Sequence, residues 1–378
     1  MSEGKAMTGG MIRVLGMMSG TSLDGVDAAL IDTDGVRIGG FGRSGYRAYG
    51  GNEAAVLHDA LGRWPGDPGV AEAAELSVAA HAALAADFPE AALIGYHGQT
   101  LAHDPGGRGT HQAGSGAALA QRTGRRVVWD FRTEDVRQGG QGAPLAPFFH
   151  WACADWAVRE GRMDPAPVVF LNLGGVGNLT WVDPLAGGPE TGCLAFDTGP
   201  ANAPINDMIR ARGLGTRDEG GALAARGRAD GAIVADFLTH PYFARIPPKS
   251  LDRDAFDGLS QAVTRLSAED AAATLVAALA ASVAAGMAFL PSPPARLLVC
   301  GGGRHNAAIM AALSARLDCA VAPVEAIGLD GDMLEAQAFG WLAVRVLRGL
   351  PTSGPTTTAA PGLVSGGRIS APRAQGDL

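Results

Sequence analysis

A tight polar loop held between two apolar runs constrains this chain more than any other feature. Ile12 to Met18 leads in, Val26 to Ile31 leads out, and Gly16-Met-Met-Ser-Gly-Thr-Ser-Leu-Asp-Gly-Val-Asp27 spans the turn. The pattern reads as a β-hairpin whose tip can offer backbone N–H groups to phosphate oxygens and acids to a magnesium shell. Gly20 and Gly25 can take positive φ there without steric cost. A second loop of the same kind is Val168-Val-Phe-Leu-Asn-Leu-Gly-Gly-Val-Gly-Asn-Leu-Thr180. In a chain with 55 glycines, one such turn would mean little. Two of them, one in each half and both with polar tips, suggest a nucleotide held between two related domains.

Lysine usage narrows the kind of nucleotide site. Lys5 and Lys249 are the only lysines. No G-x-x-x-x-G-K-[ST] run exists, which excludes a Walker-type P-loop. No Val-Ala-Ile-Lys or His-Arg-Asp segment exists either, which excludes the protein-kinase set. Phosphate must be met by backbone amides, hydroxyls and a metal. The net charge of −8, without a basic run, argues against a nucleic-acid partner. Cys153, Cys193, Cys300 and Cys319 show no close pairing and read as free thiols in a reducing cytosol. Met1 to Met11 lacks an apolar core of signal-peptide length, so a cytoplasmic location is expected. Ala271 to Leu290 is uncharged and long enough to span a bilayer. It is mostly alanine, with Glu269 and Asp270 before it, and reads as a buried helix rather than a membrane span.

At 378 residues the chain is long enough for two domains. Strands are predicted at Ile12–Ser19, Val26–Asp32 and Gly39–Arg47, then helices at Asn52–Gly62 and Ala71–Asp87. Leu93-Ile-Gly-Tyr-His-Gly98 and Val127-Val-Trp-Asp-Phe131 read as buried strands, with a helix at Ala117–Gly124 between them. The second half repeats the theme. Strands at Val168–Leu173, Asn178–Val182 and Cys193–Phe196 precede helices at Ala203–Arg212 and Ala268–Met287. A strand at Arg296–Cys300 feeds a helix from Asn306 to Arg316, and a last helix covers Gly331–Arg348. Strands first, then alternating helix and strand, twice over, imply an α/β duplication with a central cleft. The tail from Pro351 reads as a surface strand or loop.

Several residues could carry chemistry. Asp197 stands at the end of an apolar strand, with Thr198, Gly199 and Pro200 expected to turn the chain toward a helix. Such a carboxylate can be a general base or merely a capping or Asx-turn aspartate. Leu298-Val-Cys-Gly-Gly-Gly-Arg-His-Asn306 is a strand, a triple-glycine bend and a helix start, able to admit a flat purine or a ribose. Tyr96-His-Gly-Gln-Thr100 and Asp130-Phe-Arg-Thr-Glu-Asp135 are polar strand tips. Arg132 could fork onto a carboxylate, and His97 could equally be a satisfied core histidine. Gly139-Gly-Gln-Gly-Ala-Pro144 reads as a flexible connector, a hinge or a substrate loop. Glu335 could be a ligand or simply an acid that suits a helix N-terminus. No histidine spacing resembles a zinc site.

Together these segments resemble the anhydro-N-acetylmuramic acid kinases, from about Val14 to Leu350. The specific pieces are Met18-Ser-Gly-Thr-Ser-Leu-Asp-Gly-Val-Asp27, Tyr96-His-Gly-Gln-Thr100, Gly139-Gly-Gln-Gly-Ala-Pro-Leu145, Asn172-Leu-Gly-Gly-Val-Gly-Asn178, Phe196-Asp-Thr-Gly-Pro200 and Cys300-Gly-Gly-Gly303. The resemblance implies the duplicated α/β fold of the sugar kinase, Hsp70 and actin superfamily. It would place one domain at 12–140, with 342–370 returning to it, and the other at 141–341. It implies ATP-dependent phosphorylation of 1,6-anhydro-N-acetylmuramic acid at O6 with hydrolytic ring opening at C1, in cell-wall recycling. ATP would be met by Gly20, Thr21, Ser22, Leu23, Asp24, Gly25, Val26 and Asp27. Asn172, Gly174, Gly175 and Asn178, with Gly301, Gly302 and Gly303, would complete its site. Asp24 would lie near Mg2+. Asp197 would activate water, and Glu335, Arg132, His97 and Gln99 would line the sugar. The implied partner is a small-molecule sugar, with no nucleic acid and no membrane; a homodimer is compatible with the sequence. A plain sugar kinase of the same superfamily and a non-catalytic ATP-dependent sugar sensor are the alternatives. Ala201 stands where the family often has glycine, Leu251 and Asp252 replace a common Thr-Gly, and Arg304 and His305 follow the triple glycine.

Overall fold

The computed structural model describes residues 10–251 and 255–373. Twelve strands run through the described residues. They are β1 (Ile12–Ser19), β2 (Gly25–Thr33), β3 (Ile38–Ala48), β4 (Leu93–Asp104), β5 (Gly109–Ala113) and β6 (Arg126–Trp129), then β7 (Val168–Leu173), β8 (Val176–Val182), β9 (Cys193–Pro200), β10 (Arg296–Cys300), β11 (Ala320–Pro323) and β12 (Arg368–Ser370). The chain forms two compact units. The first gathers the described residues up to Trp156 and those from Met333 onward; the second is Ala157–Asp332.

The first unit's sheet has the order β12-β6-β4-β1-β2-β3, with β5 beside β4. Strands β1, β2 and β3 pair antiparallel, and β4 and then β6 join in parallel on the β1 side. The second unit's sheet has the order β11-β10-β7-β8-β9. There β7, β8 and β9 pair antiparallel, and β10 and β11 join in parallel beside β7. Without β5 and β12 the two sheets share one plan: an antiparallel meander whose first strand receives two parallel strands. This is a duplicated α/β architecture. Val14, Leu15 and Met17 in β1, and Val169, Phe170 and Leu171 in β7, are all fully buried. Strands covered on both faces read as continuous apolar runs rather than alternating ones.

The helix Leu334–Leu347 packs across β1, β2 and β4. It comes close enough that a Cβ on Gly16 would overlap the Ala336 carbonyl and stand 2.6 Å from Gly340 N. The helix Pro147–Arg159 belongs to the same unit up to Trp156, with Phe149 at 6.2 Å from Trp341 and Trp156 edge-on to Phe41 at 4.9 Å. These two helices put the unit boundaries at 156/157 and 332/333, where the sequence reading had 140/141 and 341/342.

In the second unit the helix Ala268–Met287 has the length and composition to cross a membrane, yet 72% of its most apolar window is buried. Ser267 caps its start by accepting from Asp270 N–H at 3.1 Å. Its small residues let β9 lie close: a Cβ on Gly199 would stand 2.7 Å from Ser282, and one on Gly286 3.2 Å from Phe196.

The tail differs from the surface segment that was expected. Thr352, Ser353, Thr357, Thr358 and Val364 are buried. Strand β12 then completes the sheet edge beside β6. Strand β4 runs on to Asp104 and folds back on β5 as a hairpin, which the short apolar run ending at Gly98 gave no sign of.

Candidate active site

The first hairpin tip, residues 20–24, is held from beneath. Ser19 Oγ donates to Gly25 O at 3.0 Å and meets Tyr49 OH at 2.9 Å and Gln99 Oε1 at 2.5 Å. Gln99 is fully buried, and its Nε2 donates to Gly20 O at 3.1 Å. Asp24 O accepts from Tyr49 N–H at 2.9 Å and Tyr46 OH at 2.8 Å. The backbone is thus fixed, while the Asp24 carboxylate is exposed and has no partner among the described residues. The N–H groups of Thr21 and Ser22 are also without backbone partners among the described residues. Neither Gly20 nor Gly25 uses its freedom to take positive φ; the left-handed residue of the tip is Leu23, at 58°. Glycine is needed at position 25 for space, because a Cβ there would overlap Arg47 O and lie 2.7 Å from the Tyr46 ring.

The second hairpin tip is tied to a helix start. Gly174 O accepts from Asn202 N–H at 3.0 Å, and Gly175 O accepts from Ala201 N–H at 2.9 Å and Ala203 N–H at 3.2 Å. Neither glycine N–H has a backbone partner among the described residues. Ala201, which stands where the resemblance expects glycine, has φ −120° and is held at the helix start by its N–H bond to Gly175 O.

Asp197 does not end its strand. Strand β9 continues to Pro200, and the pairing with β8 slips between Gly177 and Asn178. This bulge re-aims the local side chains. Asn178 faces Asp197 across the ladder, and its Nδ2 donates to Asp197 Oδ1 at 2.9 Å. Leu251 N–H donates to Oδ2 at 2.8 Å. Asp197 N–H donates to Lys249 O at 2.9 Å, and Tyr242 OH donates to Asp197 O at 2.5 Å. Burial pushes the carboxyl pKa up, against the pull of the Asn178 and Leu251 hydrogen bonds. Each oxygen keeps a lone pair for a further proton, as a base requires. The flanking segment is anchored by Lys249, whose ammonium donates to Tyr242 O at 3.1 Å and lies 4.6 Å from the Phe289 ring centre. Burial, and then Arg245, lower the Lys249 pKa to about 8. Asp252 and Arg253 lie outside the described residues.

The triple glycine has three different environments. Gly301 has φ +72°, and a Cβ there would overlap Asn172 Oδ1. A Cβ on Gly303 would stand 2.5 Å from Leu173, while Gly302 faces open space. Gly301 and Gly303 therefore lie against the strand that leads into the second hairpin. Arg304 is buried and fixes the bend: it donates to Gly301 O at 3.0 Å and pairs with Glu325 and Asp332, each at 2.8 Å.

In the first unit a polar chain links His97 to the loop Gly139–Pro144. His97 is buried, and its Nδ1 donates to Gly98 O at 2.8 Å, which leaves Nε2 to accept from Arg132 Nε at 3.0 Å. Burial and then the neighbouring Arg132 hold its pKa well below the usual histidine value, so the imidazole is neutral. Arg132 Nη1 donates to Gly142 O at 2.7 Å. Burial lowers the Arg132 pKa to about 10, against the pull of Glu335 and Asp135. The guanidinium stays charged at neutral pH. Glu335 is exposed in the first turn of its helix.

A family profile described as anhydro-N-acetylmuramic acid kinase matches residues 70–372. The chain belongs to that family. It is 63% identical over 370 residues to the anhydro-N-acetylmuramic acid kinase of Cereibacter sphaeroides, covering 97% of this chain and 98% of that protein. It is 57% identical over 362 residues to anhydro-N-acetylmuramic acid kinase 1 of Jannaschia sp., covering 95% of each. Membership in the anhydro-N-acetylmuramic acid kinases makes the protein an enzyme, a sugar kinase that uses ATP.

Within the second unit the structure brings Asn178 onto Asp197, and Gly301 onto Asn172. In the first it brings Gln99 under Gly20, and Arg132 onto His97. Asn178 and Gln99 thus spend an amide N–H within the protein, on the Asp197 carboxylate and the Gly20 carbonyl. Tyr242 was not named from the sequence; Lys249 was noted only as one of two lysines and Asp135 only as the end of a polar strand tip, and neither was given a role.

Proposed function

We propose that the protein transfers the γ-phosphoryl group of ATP to O6 of 1,6-anhydro-N-acetylmuramic acid while water opens the anhydro ring at C1. The products are N-acetylmuramic acid 6-phosphate and ADP, and the setting is cell-wall recycling in the bacterial cytoplasm. The observation that carries this reading is the Asp197 carboxylate, held at both oxygens by Asn178 and Leu251, in a chain of this family. Asp197 removes a proton from the water that attacks C1. Arg132 and Glu335 contact the sugar, with the Arg132 cation suited to its carboxylate. The tip amides of Thr21, Ser22, Gly174 and Gly175 receive phosphate oxygens. Asp24 fits a magnesium ion: its backbone is fixed and its carboxylate is uncommitted. Magnesium, when bound, neutralises phosphate charge that no P-loop lysine offsets here.

Asp24→Ala is expected to lower kcat about tenfold and raise the magnesium concentration needed for half-activity, with sugar KM little changed. A magnesium titration identical to the parent's would make Asp24 a loop-stabilising residue only.

Product analysis tests the reaction itself. One base is assigned and no carboxylate is assigned as a covalent nucleophile, so water displaces O6 from C1 directly and inverts that centre. The anhydro bond is β, so the first product is the α-anomer. Proton NMR should detect α-N-acetylmuramic acid 6-phosphate before mutarotation, with one water consumed per ADP. An initial β product would require retention and would sink these roles. An unopened phosphorylated sugar would make the protein a plain sugar kinase.

A further inference from the structure

Asp135 has no role in the reading above, yet it organises the loop that Arg132 touches. It is 1% exposed. Its Oδ1 accepts from Gly142 N–H at 2.6 Å; its Oδ2 accepts from Ser353 Oγ and, at 2.6 Å, from Thr358 Oγ1. The loop is moulded around this carboxylate. A Cβ on Gly140 would overlap Oδ1, and Gly142 has φ +68°, a conformation side chains resist. Gln141 N–H donates to Thr358 O at 2.7 Å. Gly142 is therefore gripped at both ends: its N–H by Asp135, its carbonyl by Arg132, which in turn holds His97. The loop expected to be a flexible connector is pinned instead. A buried carboxylate is costly unless its lone pairs are well used. Here every donor it takes comes from the loop or from the C-terminal segment.

We infer that Asp135 is a positioning residue for sugar binding: through Gly142 it fixes the Arg132 guanidinium, and through Ser353 and Thr358 it makes the C-terminal segment part of that support. The inference rests on reading Arg132 as a sugar contact. The test compares steady-state kinetics of the full-length Asp135→Asn, Arg132→Met and double variants. Asp135→Asn should raise sugar KM about tenfold, since small misplacements of a binding group are costly, while ATP KM stays within about twofold. In the Arg132→Met background it should add little, because the two act on one contact. Equal rises in both KM values, or a full additional loss in the double variant, would make Asp135 a structural pin and overturn the inference. An unchanged sugar KM in Arg132→Met would instead remove the reading of Arg132, and this inference with it. If Asp135→Asn does not fold, Thr358→Val decides. It deletes one donor and should raise sugar KM about threefold, within the usual reach of a single hydrogen bond. No change there would overturn the inference.

Discussion

Asp197→Asn is expected to lower kcat by about 10³-fold or more, toward the upper end of what loss of a general base costs. The fold should survive. Both Asp197 oxygens accept hydrogen bonds, and an asparagine offers only one acceptor. Turning over the Asn178 amide presents its oxygen to the new NH2 group, so Leu251 can keep its partner. Stability should hold or rise. Burial raises the Asp197 pKa above its value in the unfolded chain. Between those two pKa values the native state holds a proton the unfolded state has lost, so stability falls as pH rises through that window. At neutral pH the charged carboxylate is thus a cost that asparagine removes. The pH profile gives a second reading. The base works ionised and its pKa is raised, so as pH is lowered the parent should lose activity before the ordinary aspartate value of about 3.9 is reached. That limb should be missing from the residual activity of the variant. Binding of ATP and sugar, measured by calorimetry, should stay near the parent's. Near-normal turnover would remove Asp197 from the mechanism.

What was legible in the sequence is what is local. Both hairpins could be read because an apolar run, a glycine-rich tip and a second apolar run lie within about twenty residues. The strand carrying Asp197 was visible for the same reason. Its partners were not. The Asn178 contact depends on the register of β8 against β9, which no residue pattern announces. The Leu251 contact comes from 54 residues downstream. Asp135 takes hydroxyls from 218 and 223 residues away. Its tail partners looked like a polar surface segment because Thr and Ser are usually exposed. Glycines misled in a consistent way. Gly25 was read as a turn residue and Gly16 as an unremarked position in a strand, but both are required by close approach of another backbone or ring. A sequence shows that a glycine is present; it does not show which neighbour demands it.

Gly16→Ala should therefore be among the most damaging single changes in the chain, although it adds only one methyl group. The Cβ would overlap Ala336 O, and Gly340 N would stand 2.6 Å away. Both neighbours are helix backbone, which cannot swing aside as a side chain can. The opposite contact is equally tight, since a Cβ on Gly95 in β4 would overlap Phe339 O. Relief requires the helix Leu334–Leu347 to lift from the sheet, reopening a core that includes the fully buried Trp341 and Leu342. Overpacking of this kind costs about 3 kcal/mol or more. The denaturation midpoint in urea should fall accordingly. Gly40→Ala is the control: nothing lies within 4 Å of its Cβ, its φ is not positive, and its midpoint should barely move. The same helix carries Glu335 in its first turn. Lifting it displaces that carboxylate, so protein that remains folded should show a raised sugar KM. A Gly16→Ala protein as stable as the parent, with an unchanged sugar KM, would mean that this helix has room to move and that its close seat on β1 is not what places Glu335.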